Sequence, residues 1–113
     1  MTISPLTPLS LHILLSLVED ARHGYGILKA IESRPGAVDP PSTGALYLAL
    51  QRLEREGAIE ETTPPEGADR RRRYWRLTPS GRQAARDEVE RWASLMRDAS
   101  VQALRGGAGG GGG

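Results

Sequence analysis

Cysteine is absent from all 113 residues, which excludes disulfides and thiolate metal sites. Long hydrophobic runs are absent too. The longest apolar stretch, residues 9–18, is interrupted by Ser10, His12 and Ser16. It is too short to span a membrane, and no basic residue precedes it, so it makes a poor secretion signal. No nucleophile elbow, phosphate loop or metal-ligand spacing occurs, and the two histidines, His12 and His23, fall in different elements. These absences argue against an enzyme and imply no cofactor, no metal and no membrane partner. A soluble cytoplasmic protein is the expectation. Lysine is nearly missing as well, with Lys29 its sole instance, and no internal repeat is visible.

The net charge of +1 says little about partners, but its distribution says more. Residues 70–86 hold Arg70, Arg71, Arg72, Arg73, Arg76, Arg82 and Arg86 with no acid among them. Residues 54–69 carry six acids against Arg55 alone. A near-neutral chain thus bears one concentrated positive patch. Arginine suits bidentate contacts to phosphate and guanine, although a GC-rich coding bias gives the same preference. Length allows one domain. Residues 106–113 are glycine apart from Ala108, and their composition predicts a disordered coil outside the fold.

Periodicity predicts three short helices, a hairpin and a long helix. Ser4-Pro5 or Thr7-Pro8 opens the first, with Leu11, Leu14, Leu15 and Val18 at helical spacing. His23-Gly24-Tyr25-Gly26 marks a break before the second, whose stripe is Ile27, Leu28 and Ile31. Ser42 or Thr43 caps the third, at residues 42–56. There Leu46, Ala49, Leu50 and Leu53 face inward, and Gly57 sits where a helix ends in glycine. Residues 58–62 and 72–77 read as strands flanking a Pro- and Gly-containing loop, with Trp75 and Leu77 on one face and Tyr74 and Arg76 on the other. Thr78-Pro79 starts the long helix. Ala85, Val89, Trp92, Met96, Ala99 and Ala103 recur along it at alternating steps of four and three, a short heptad seam. The fold class expected is mainly α with a small β-hairpin. A winged helix-turn-helix occupies residues 1–79, a C-terminal dimerisation helix residues 80–105 and a disordered tail residues 106–113.

Three stretches carry a family resemblance. They are Arg22-His23-Gly24-Tyr25-Gly26-Ile27; Ser42-Thr43-Gly44-Ala45-Leu46-Tyr47 running on through Leu50, Leu53-Glu54 and Gly57; and Arg73-Tyr74-Trp75-Arg76-Leu77-Thr78-Pro79-Ser80-Gly81. In order and separation they resemble the PadR-like transcriptional regulators of the short type, over most of residues 9–92. Two positions depart from that pattern. Leu48 follows Tyr47 where many members have proline, and Ala45 stands where threonine is common. Both bear on DNA preference rather than on fold.

In a winged helix the third helix enters the major groove and the wing reaches the flanking backbone or minor groove. Tyr47, Gln51 and Arg52 lie opposite the apolar stripe. Periodicity alone also fits an ordinary solvated face there; the resemblance favours base or phosphate contact. Ser42, Thr43 and Gly44 place free helix N–H groups where a phosphate can sit, and His23 and Gly24 open the second helix similarly. Gly24 is expected to permit a tight turn, and Tyr25 to pack against the third helix. Arg70, Arg71, Arg72 and Arg73 are expected on phosphate or in the minor groove, against the simpler reading of a solvated loop. Ala85, Val89, Trp92, Met96, Ala99 and Ala103 form the expected homodimer interface. The resemblance adds a small flat aromatic effector stacked on Trp92 beside Met96. It thus implies a dimeric repressor on a pseudo-palindromic double-stranded operator, the contrasting class being a winged-helix protein-interaction module.

Overall fold

The computed structural model describes residues 3, 5–36 and 39–110. Helix α1 spans Pro8–Ser16, with Thr7 as its cap; the Thr7 hydroxyl accepts from the Ser10 amide at 3.1 Å. Strand β1 is only Arg22–His23, and helix α2, Gly24–Ser33, follows directly. Helix α3 spans Thr43–Arg55 and is capped by Ser42, whose Oγ accepts from the Ala45 amide at 3.1 Å. Gly57 follows it with φ +80°, the left-handed conformation that glycine adopts without a Cβ penalty. Strands β2, Ile59–Thr62, and β3, Tyr74–Leu77, form the wing. Helices α4, Pro79–Met96, and α5, Ala99–Gly110, complete the chain.

The expected hairpin is in fact a three-stranded antiparallel sheet in the order β1-β3-β2. Arg22 pairs with Trp75 and His23 with Tyr74. A two-residue strand has no periodicity to betray it, so β1 escaped the sequence pattern. The Arg22 Nε donates to the Ser16 carbonyl at 2.7 Å and ties β1 to the end of α1. The added strand also corrects the assignment of Tyr74. Tyr74 is buried, because the His23 ring meets it edge-on at 5.3 Å.

Ile13, Leu14 and Leu17 pack with Ile27 and Ile31 of α2 and with Leu46, Leu50 and Leu53 of α3. Ile59 and Trp75 close this core from the sheet side. Each such side chain contributes about 1.5–3 kcal/mol by leaving water. The start of α4 is fastened to the end of α3. The Thr78 hydroxyl lies 2.5 Å from the Gly57 carbonyl oxygen and 3.0 Å from that of Ala58, and it accepts from the Gly81 amide at 3.0 Å. A Cβ placed on Gly81 would lie 1.9 Å from the Ala58 carbonyl oxygen.

The C-terminal region differs from the expected single helix. Asp98 breaks it, because its carboxylate accepts from the amides of Ser100 and Val101 and caps a new helix. Ala99 and Ala103 therefore lie on α5, apart from Val89, Trp92 and Met96 on α4. Ala85 is buried in the chain's own core, which removes it from the expected seam. Helix α5 also runs on to Gly110, where composition alone predicts coil. This extension runs against local propensity, since each glycine is about 1 kcal/mol less favourable in a helix than alanine. Residues 111–113 of the expected tail lie outside the described residues. Among the described residues no helix is long and apolar enough to cross a membrane.

Candidate nucleic-acid interface

Three elements meet in one cleft. The N-terminus of α2 supplies His23, Gly24 and Tyr25, α3 supplies Tyr47, and the wing supplies Arg71, Arg72 and Arg73; together they line about 460 Å³. His23 is the cap of α2, with its Nδ1 accepting from the Gly26 amide at 3.0 Å. That bond places the neutral ring's proton on Nε2. The Arg72 Nη1 lies 3.2 Å from both ring nitrogens. Burial first and the Arg72 charge second hold His23 below the usual histidine range, while Asp69 acts in the opposite direction. The ring is therefore kept neutral, and the positive charge in the cleft is that of the arginines.

Both tyrosines are exposed, and Tyr25 departs from the packed position expected of it. Tyr25 is 57% exposed and stacks on His23 at 6.4 Å instead of packing on α3. Tyr47 stays open to solvent, 38% exposed, while its ring lies 6.0 Å from Trp75 in an edge-to-face pair. Its Oη fills the space where a Gly24 side chain would be, 2.5 Å from an ideal Cβ. Gly24 therefore serves close packing rather than a tight turn. We expect Gly24→Ala to cost about 1 kcal/mol or less, because the overlapping atom is the end of the exposed Tyr47 side chain, which can turn aside. Adding Tyr47→Phe should recover about half of that loss, because only the hydroxyl is removed. Urea denaturation of both single variants and the double variant measures the coupling; simple additivity would mean the contact is not the cause.

The wing arginines divide by their partners. Arg73 donates to Glu61 through Nε at 3.1 Å and Nη2 at 2.8 Å, and its guanidinium covers the Trp75 ring at 4.9 Å. Arg76 pairs with Glu60. Both are committed to their own sheet. Arg71 and Arg72 share one carboxylate, Asp69, at 3.2 and 3.7 Å. The Arg71 amide and side chain hold that carboxyl below its usual range. Among the described residues Arg70 forms no ion pair. The tip thus carries the three guanidinium groups of Arg70, Arg71 and Arg72 against the carboxylates of Asp69 and Glu66, an excess of positive charge suited to a polyanion.

On α3, Gln51 and Arg52 are exposed, with Arg52 paired to Glu56 at 2.9 Å. Helix geometry leaves the first amides, those of Thr43 and Gly44, without partners inside the helix. Leu48 is exposed beside them.

Comparison with known proteins gives this arrangement its relatives. The model of the transcriptional regulator PadR-like family matches residues 13–87. The chain belongs to this family. An uncharacterized protein of Lysinibacillus sphaericus is 30% identical over 83 residues, which is 74% of this chain and 76% of that protein. Among solved structures, a transcriptional regulator from Clostridium thermocellum is 30% identical, with TM-score 0.64 over 79% of this chain and 84% of its own. The Bacillus subtilis PadR solved in complex with operator DNA is 26% identical, with TM-score 0.62 over 74% of this chain and 47% of that one.

Within this PadR-like chain, His23, Gly24, Tyr47, Arg71, Arg72 and Arg73 are brought together in the cleft. Ser42, Thr43, Gly44, Gln51 and Arg52 lie along exposed α3. Trp92 and Met96 stand apart on α4, where the Trp92 Nε1 donates to Glu88 at 3.0 Å. Leu48 lies exposed on α3 opposite Leu46, Leu50 and Leu53, outside the expected set of site residues.

Proposed function

We propose that this PadR-like protein binds duplex DNA sequence-specifically as a symmetric dimer and represses transcription. The convergence of the α2 N-terminus, the exposed face of α3 and an arginine excess on the wing carries this reading. Helix α3 occupies the major groove, and Gln51 lies on its groove side. Arg70, Arg71 and Arg72 neutralise backbone phosphates, and the free amides of Thr43 and Gly44 hold another. The repressor sign rests on the family resemblance.

The second copy docks on the exposed apolar side of α4. Val89, Trp92 and Leu95 are each between 42% and 50% exposed, more apolar surface in one row than a lone helix leaves in water. Two copies joined there present two α3 helices to half-sites about one helical turn apart. A small aromatic effector stacks on Trp92 near Met96 and alters that spacing. We expect Trp92→Asp to shift the sedimentation coefficient from dimer to monomer, with far-UV circular dichroism retained. An unchanged dimer would remove the α4 face from the interface.

Selection from a random duplex pool at two salt concentrations tests the function itself. An enriched pseudo-palindrome is expected. Weak, salt-sensitive binding without enrichment would instead support a protein-interaction scaffold.

A further inference from the structure

Leucines exposed singly on a surface are common, and two observations set Leu48 apart. The first is its bearing on α3. Leu46, Leu50 and Leu53 are buried, and the residues opposite them, Gly44, Leu48, Gln51 and Arg55, are all exposed. Their steps of four, three and four make one straight stripe along the helix. Leu48, 69% exposed, is the apolar member of that stripe. The second is the company it keeps. One turn before it, Gly44 has nothing within 4 Å of where a Cβ would be, so the backbone can approach a surface closely. One turn after it stands the amide side chain of Gln51, and Arg55 ends the stripe.

This order matches a major groove. Its floor displays hydrogen-bonding edges and, at thymine, a methyl group; its rims are phosphates. We propose that Leu48 makes an apolar contact with a thymine C5-methyl group and so fixes one T·A pair in each half-site. The proposal rests on the DNA-binding reading above and assigns a base preference to one residue of that surface. A methyl group enclosed by a leucine accounts for about a fourfold preference, the value expected for withdrawing one aliphatic carbon from water. Gln51 reads neighbouring edges by hydrogen bonds, which the methyl group does not offer.

The test replaces thymine by uracil, one position at a time, in the duplex that selection enriches. Only the methyl group is lost. Wild-type protein should lose about fourfold in affinity at one position per half-site, and about 16-fold when both symmetric positions are changed. Leu48→Ala should bind the thymine and uracil duplexes equally, with an unchanged thermal midpoint because the side chain is exposed. An enriched duplex without thymine in its half-sites overturns the role of Leu48 alone. So does a uracil effect of the same size in wild type and Leu48→Ala. Failure to enrich any duplex overturns the sequence-specific reading and this proposal with it.

Discussion

Gly81→Ala is expected to lower stability by about 3 kcal/mol or more, the upper end for overpacking. The new methyl carbon would meet the Ala58 carbonyl oxygen at 1.9 Å. That neighbour is backbone, held by the Thr78 amide at 3.1 Å, so it cannot swing aside as a side chain would. For a domain of this size the thermal midpoint should fall by roughly 12–24 °C. Gly44→Ala is the contrast. It stands in α3 with open space around it and should gain up to about 1 kcal/mol from helix propensity. Thermal melts of the two variants decide the matter. A midpoint for Gly81→Ala within about 3 °C of wild type, inside the spread of ordinary surface changes, would show that α4 can shift off Ala58 at little cost.

Replacing Arg70, Arg71 and Arg72 together with glutamine, on both wings of the dimer, should weaken DNA binding on the order of 10,000-fold at low salt. Each lost contact is taken at about 1 kcal/mol, the net scale of an exposed hydrogen bond. The dimer loses six contacts, so the slope of log affinity against log salt should flatten by about five units, about 0.9 for each phosphate released. The loss should be equal on every sequence, since phosphates carry no base identity. Arg73 is left out because it is bound to Glu61 and covers Trp75; changing it would disturb the sheet as well. Fluorescence anisotropy across a salt series supplies the slope. An unchanged slope would mean that the wing does not touch the backbone.

Much of this architecture was legible in the chain because local signals agreed with one another. Thr7, Ser42 and Thr78 cap helices α1, α3 and α4, and each precedes an apolar-periodic run. Gly57 ends α3 with a positive φ. What stayed hidden depends on partners distant in sequence. Strand β1 exists because Trp75 and Tyr74 lie beside it, some fifty residues on. Tyr25 and Tyr47 have the same chemistry, and only the three-dimensional meeting of α2 with α3 decides which one lies against Gly24 and Trp75. The break at Asp98 was masked by a seam whose spacing runs unbroken through it, while the carboxylate's competition for backbone amides is local. In the candidate site the arginines were visible as a run. Their division into committed and available groups was not, because it turns on Asp69, Glu61 and Trp75.

Strand β1 has a consequence for the timing of recognition. A two-stranded ribbon alone is marginal in water, and a wing built that way would sample many shapes before meeting a duplex. With Arg22 and His23 paired to β3, that strand is flanked on both edges. The ordering entropy of the ribbon is therefore spent during folding and not at the moment of encounter. Only the tip, residues 63–73, is left to settle onto its target. A preorganised surface of this kind should associate at a rate set by electrostatic steering, with little delay from rearrangement.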